Sequence, residues 1–478
     1  MTCSRAAILA VILLLPAATP GFGEEAFPEH PLITEYYLLD YNRPSQEGKL
    51  ERIPELLVLA PAETRDAWKN VLDGLAAGVR GDCAESVALL DKGLAGIEDD
   101  SLARGFVLAQ KSESMLQCDR DAEAVAILDG VLETYGDRPE GPYRELTALA
   151  LRYKYHALGK SGDREGSQRA YMTLMEEYRN SPESVVQLQI AYAAITLILN
   201  LEQSGDSRQW DAAIMACDEL IARLEDRPEP ELRRQIAHAL FRKTVNLDKR
   251  GEYNAELETY ASLRERFADS DDSEVLALLG YSYMGESYLW NRSGQPGKAL
   301  ASYDAGLERL GERKERTLRD LSARLRAYKG ITLGATGKPA EQVALCGEAA
   351  DEILAGGDPA SLPIALEALI GKANGYGLQG QTDPQLALFA SVVERYGDTA
   401  DPAVQAQVLQ AMAAIGDVRG HLGDKAGALE IYREAVERYG ESADPAIAGW
   451  VERIRAVIAV HGAEDGDKAN GQGGIRSE

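Results

Sequence analysis

"SVVERYGDTADPA" (391–403) and "EAVERYGESADPA" (434–446) are near copies of one another set 43 residues apart. A self-similar period of roughly 20 to 50 residues marks stacked supersecondary units, none of which can bury its apolar face alone. Within the copied block, Tyr-Gly reads as the end of one helix. The following Asp-Pro reads as the start of the next, with Asp401 as candidate N-cap and Pro402 in the first turn.

Glycine carries the same register along the chain. Gly162, Gly205, Gly251, Gly294, Gly337, Gly380 and Gly423 are separated by 43, 46, 43, 43, 43 and 43 residues. Asp119 holds the same place 43 residues before Gly162, and Gly81 opens a shorter first unit 38 residues earlier, giving nine units. A second ruler lies sixteen residues after these positions, at Ile97, Tyr135, Tyr178, Phe267, Leu310, Ile353, Tyr396 and Tyr439. In the unit of spacing 46 the equivalent residue is Leu224, so the three extra residues fall between Gly205 and Leu224, around "SRQWDAA".

Between these marks the apolar spacing is helical. In "GDKAGALEIYREAVERY" (423–439), Ala428, Leu429, Tyr432, Ala435, Val436 and Tyr439 form one stripe. Upstream, "PAVQAQVLQAMAAIGDVRGHLG" (402–423) reads as a helix stopped by Gly423. Each unit is therefore a helix, a glycine turn, a second helix and a loop.

In the clearest unit, Gly416, Gly423, Ala428, Tyr432 and Ala435 sit at the spacings of the small and aromatic positions of the tetratricopeptide repeat (TPR), which this chain resembles over residues 62–461. Gly294, Ala299 and Tyr303 repeat part of the pattern, as do Gly162 with Tyr171 and Gly251 with Tyr260. The chain departs from the family in its period, 43 against about 34, and in placing Glu256, Gln342 and Gln385 where Ala428 stands. The resemblance implies an all-α fold, a right-handed α-solenoid of about nine TPR-like hairpins closed by a C-terminal capping helix, with the first helices lining a concave wall.

The ends break the period. "MTCSRAAILAVILLLPAATPGFG" (1–23), with Arg5 before an apolar run and small residues after it, has the layout of a cleaved secretory signal. Cys3 precedes the run, so a lipid anchor is not expected. Residues 24–61 carry five prolines and form an irregular flank, in which "ITEYYLLDY" (33–41) is expected to lie on the first unit as an extended or short helical lid. "AIAGWVERIRAVIAVHG" (446–462) reads as a first helix without a partner, and 462–478 as a disordered acidic, Gly-rich tail. No segment after the signal approaches the ~20 apolar residues of a membrane helix, so no transmembrane segment is expected.

There are 77 acidic and 51 basic residues, a formal net charge of −26. A charge of this sign disfavours nucleic acid and anionic membranes as partners. Export and the Ala, Gly and Arg-rich usage point to a bacterial periplasm first and to secretion second.

Four cysteines follow the signal. Cys83 and Cys118 flank successive turn positions at one edge of the array and are candidates for a disulfide. Helices packed about 10 Å apart would hold them too far for the ~7 Å limit on Cα separation. Cys217 and Cys346 take the aromatic position of Tyr171, Tyr260, Tyr303 and Tyr432, and are expected to be buried and unpaired.

Catalytic patterns are weak. "GYGLQG" (375–380) has dinucleotide-loop spacing but follows a helical segment, not a strand. "GATGKPA" (334–340) lacks the leading glycine and the hydroxyl residue of a phosphate loop, and "DGDKANG" (465–471) has Ala469 where a calcium loop needs a ligand. The five histidines are scattered. No enzyme activity, cofactor or metal is expected.

The leading functional reading is a non-catalytic protein-interaction scaffold of the cell envelope, holding a peptide or partner helix on its concave face. The alternatives are a small-ligand receptor using the same hollow and an accessory subunit of a larger envelope complex. Family geometry places groove-lining side chains six, ten and thirteen residues before each turn residue. These are Leu199, Ile195 and Tyr192 in the fourth unit, Val245, Phe241 and His238 in the fifth, and Tyr288, Met284 and Tyr281 in the sixth, where Asn291 and Arg292 lie nearer the turn.

Overall fold

A computed structural model of the chain describes residues 31–33, 36, 46–99, 101–203 and 205–471. The expected signal and the last seven residues lie outside them. Among the described residues every regular element is helical.

A short helix α1 (Gln46–Arg52) and 3₁₀ turns at Ile53–Leu59 and Ala62–Thr64 precede the array. Nine hairpins follow: α2 (Arg65–Arg80) with α3 (Cys83–Leu94), α4 (Leu102–Gln117) with α5 (Asp121–Tyr135), α6 (Gly141–Ser161) with α7 (Arg164–Glu177), α8 (Ser184–Glu202) with α9 (Ser207–Leu224), α10 (Pro230–Arg250) with α11 (Tyr253–Arg266), α12 (Ser273–Arg292) with α13 (Pro296–Leu310), α14 (Arg316–Ala335) with α15 (Pro339–Gly356), α16 (Leu362–Leu378) with α17 (Thr382–Tyr396), and α18 (Pro402–His421) with α19 (Lys425–Tyr439). The closing helix α20 runs Pro445–Gly471. It therefore continues past residue 462, where the tail was expected to begin; the Ala, Glu and Lys of "AEDGDKA" (463–469) are compatible with helix, and the chain runs through Gly462 and Gly466 without a turn.

The chain divides into two compact bodies, Met1–Thr259 and Tyr260–Glu478. In the first, successive helices from α2 to α10 pack on one another and each first helix, α2 to α10, on the next first helix. In the second, α12 to α20 do the same. This is a TPR-like helical repeat.

The turn register follows from backbone sterics. Gly81, Gly162, Gly251, Gly294, Gly337, Gly380 and Gly423 all have φ between 70° and 88°, the left-handed region that a Cβ disfavours. Asp119 occupies the same region at φ 58°, the conformation that Asp and Asn tolerate best after glycine. The second helix begins two residues after each of these positions and also after Gly205. The insertion in the fourth unit is absorbed by α9, which is 18 residues long against 15 in α5, α13, α17 and α19. We expect Gly423→Ala to destabilise the last hairpin by about 1 kcal/mol and Asp119→Gly to be neutral or slightly stabilising. Hydrogen exchange of the flanking helices reads both.

Side chains at the second ruler close the joints. Tyr439 donates to the Gly397 carbonyl at 3.3 Å, Tyr135 to the Ser101 carbonyl at 3.0 Å, and Tyr178 shares a hydrogen bond with Thr147 at 2.6 Å. The likeness of the two "VERYG" copies is thus a packing requirement. Asp401 and Asp444 cap the following helices through the backbone N–H of Val404 and Ile447. Nine residues past the turn, Leu90, Leu128, Tyr260, Tyr303, Cys346, Phe389 and Tyr432 are all buried. Small residues on the first helices make room for them: a Cβ at Gly371 would lie 2.9 Å from the Cys346 Sγ, and one at Gly416 would overlap the Tyr432 ring.

Candidate functional site

The residues expected to line the groove fall into two sets, one in each body. In the first body, Tyr192, Ile195 and Leu199 on α8 and His238, Phe241 and Val245 on α10 are all half-buried, on helices whose other apolar residues are mostly closed off. Helices α8 and α10 pack directly on each other, so these positions run side by side as an open apolar strip. The Arg152 guanidinium, from the matching position of α6, stands 5.5 Å over the Tyr192 ring and 4.3 Å over that of Tyr153, with its Nε donating to Gln189 at 2.7 Å. At the turn end Arg242 lies 3.4 Å from the buried Glu202 carboxylate. Burial pushes that carboxyl upward against the opposing charges of Arg242 and Lys249.

Helix α8 corrects one expectation. It is 19 residues long and, by length and composition, apolar enough to cross a membrane, although most of it is buried within the protein. Single polar residues such as Gln187, Gln189 and Thr196 interrupt its apolar runs without lowering its overall hydropathy much. A helix this apolar is normally covered by its neighbours, yet α8 leaves Tyr192, Ile195 and Leu199 half open.

In the second body, Tyr281 and Met284 are half-buried, Tyr288 is 59% exposed and Arg292 is exposed. Asn291 is committed to the fold: its amide donates to the Thr332 hydroxyl at 2.9 Å, in a network that includes the Tyr303 phenol. Two exposed side chains were missed, Ile331 on α14 and Leu378 on α16, six and two residues before their turn glycines. The count that gave Tyr288 would also have given Ile331. A cavity of about 290 Å³ among Asp417, His421, Lys425, Tyr432 and Val457 belongs to the ninth hairpin. It is small for a cofactor site and holds none of the called residues.

A second feature missed in the sequence is a ladder of ion pairs from a Lys eight residues before one turn to an Asp ten residues after the preceding one, shifted by the insertion in the fourth unit. Lys111–Asp91, Lys154–Asp129 and Lys243–Asp218 lie at 2.5, 2.5 and 2.7 Å, and Lys329–Asp304 repeats the pairing in the second body. At the joint between hairpins three and four the same two places hold Met172 and Leu197.

Cys83 and Cys118 form a disulfide with Cα atoms 5.7 Å apart. They are closer than the helix-packing distance because both sit at helix ends, where α3 begins and α4 stops. Cys217 and Cys346 are fully buried and free, and burial pushes both thiols up to about 12, leaving them protonated at neutral pH. Gly375 and Gly377 of the dinucleotide-like motif lie inside α16 and Gly380 is its turn. Among the described residues no group of His, Cys, Asp and Glu is arranged to hold a metal.

The sequence matches no protein-family profile and no curated protein. Solved structures that align with it include the apo form of the quorum sensor NprR from B. thuringiensis, at 11% identity and a TM-score of 0.46, covering 78% of this chain and 98% of that one. The apo form of RapI aligns at 11% identity and a TM-score of 0.48, covering 76% of this chain and 98% of the other. A tetratricopeptide repeat protein from Parabacteroides merdae aligns at 13% identity and a TM-score of 0.33, covering 63% of this chain and 99% of that one. At such scores the repeat class of this chain rests on its own hairpins.

Proposed function

We propose that the protein is a non-catalytic scaffold of the bacterial cell envelope that holds an apolar segment of a partner protein against the first-helix strip of hairpins four and five, Tyr192, Ile195, Leu199, His238, Phe241 and Val245. The observation that carries this reading is α8, predominantly apolar yet half open at Tyr192, Ile195 and Leu199. Covering that side with a partner would remove apolar area from water, at about 25 cal/mol per Å². Aromatic side chains flanked by an arginine are the usual anchors of such interfaces. Placement outside the cytoplasm is supported by the N-terminal apolar run and by the Cys83–Cys118 bond, which persists in oxidising compartments. The acidic surface, net −26, keeps the chain soluble and repels anionic polymers.

Ile195→Glu combined with Leu199→Glu tests the strip. Both side chains are half-exposed, so the helical circular dichroism should persist, while partner affinity should fall about 100-fold or more, the effect of two interface anchors. Unchanged affinity with the fold intact would remove the strip from the interface.

A further inference from the structure

The three register positions that stand open in hairpins four and five are closed in hairpin one, and hairpin two closes its aromatic. There the thirteenth, tenth and sixth residues before the turn are Trp68, Val71 and Leu75, all buried, and the thirteenth in hairpin two is Phe106, fully buried. These side chains match those of hairpins four and five in size and apolarity, so their own bulk does not explain the difference. Hairpin three also buries its thirteenth residue, Leu149, but hairpins one and two have the N-terminal flank against them in addition. Leu32, Ile33 and Tyr36 are buried, although they precede the array and break its period. The Tyr36 ring meets Phe106 edge-on at 5.7 Å. The turn Ile53–Leu59 packs on α2, with Ile53 and Leu56 buried.

We infer that Leu32, Ile33 and Tyr36 are a built-in occupant of the first-helix face of hairpins one and two, an intramolecular counterpart of the segment that hairpins four and five take from a partner. The inference rests on the proposed function only in equating the two faces. Ile33 and Tyr36 lie three residues apart, a spacing that puts both on one side of a helical turn, and this gives the chemistry the face accepts: an aliphatic and an aromatic side chain one turn apart. The nine residues 37–45 join this occupant to α1, so it is held at an effective concentration on the order of millimolar. A partner would therefore read the array beyond hairpin two as long as the flank stays in place.

A labelled peptide of residues 24–45, titrated against the full chain carrying Ile33→Asp and Tyr36→Asp, tests the inference. The peptide should bind this variant at least ~100-fold more tightly than the unaltered chain, whose own tethered segment competes. Adding Phe106→Ala should abolish the binding and adding Ile195→Glu should leave it unchanged. That last arm separates the two ideas, since Ile195→Glu reads the partner strip alone. No binding to a variant with wild-type circular dichroism would overturn the inference. Should the variant unfold, hydrogen exchange on the unaltered chain decides instead. Ile33 and Tyr36 amides exchanging at least about tenfold faster than those of α2 and α4 indicate an occupant that leaves by itself, and equal rates make the segment an ordinary part of the core and overturn it.

Discussion

Reduction of the Cys83–Cys118 disulfide is expected to destabilise the first two hairpins by about 4 kcal/mol, the chain-entropy effect of opening a loop of 35 residues. The bond joins the start of α3 to the end of α4 and so fixes the joint between neighbouring hairpins. In a repeat array each unit contacts only its neighbours, so the loss should remain local. Hydrogen exchange with and without reductant should show protection in α2 to α5 falling by roughly three orders of magnitude while α14 to α20 are unaffected. Cys118→Ser should reproduce the pattern. Exchange that does not respond to reductant would mean that the joint is held by packing alone.

Phe389→Ala should cost about 4 kcal/mol. Phe389 is fully buried at the aromatic position of the eighth hairpin, in the cluster that contains Leu366, Ile370, Val408, Leu409 and Met412. Truncation removes the ring from between α16 and α18 and leaves a cavity that two long helices cannot close. Phe389→Leu, which keeps most of the volume, should cost much less. Urea unfolding followed by exchange in α16 to α19 distinguishes the two variants. A cost below about 1 kcal/mol for the alanine variant would show that this repeat position is not the buried contact described.

The repeat was legible because two independent constraints mark it. A left-handed turn requires glycine or its nearest substitute, and a closed joint requires a large apolar residue, so Gly81 through Gly423, Asp119 and the side chains from Ile97 to Tyr439 could be counted without knowing the fold. The same count located the insertion that α9 absorbs. Other features depend on which helix ends converge in space. The distance between Cys83 and Cys118 was overestimated because helix packing distances apply to helix middles and not to their ends. The Lys–Asp ladder was hidden in a chain with 77 acidic and 51 basic residues, where no single pair stands out. For the site, the register named Tyr192, His238, Phe241, Tyr281 and Tyr288, but exposure is a tertiary property. It left the strip on α8 and α10 open, set Asn291 to bracing Thr332, and closed Trp68 and Phe106 in the same register.

Docking of a protein partner on the first-helix strip of the first body has a direct readout in cells. A photo-crosslinking residue placed singly at 195, 241, 172 or 215 supplies it, because Ile195 and Phe241 lie on the first helices and the exposed Met172 and Met215 on the second. In intact cells, positions 195 and 241 should capture the same polypeptide, with the 195 adduct lost when Leu199→Glu is added, and positions 172 and 215 should not capture it. Capture of that polypeptide at 172 or 215 with none at 195 and 241 would instead place the docking surface on the second helices.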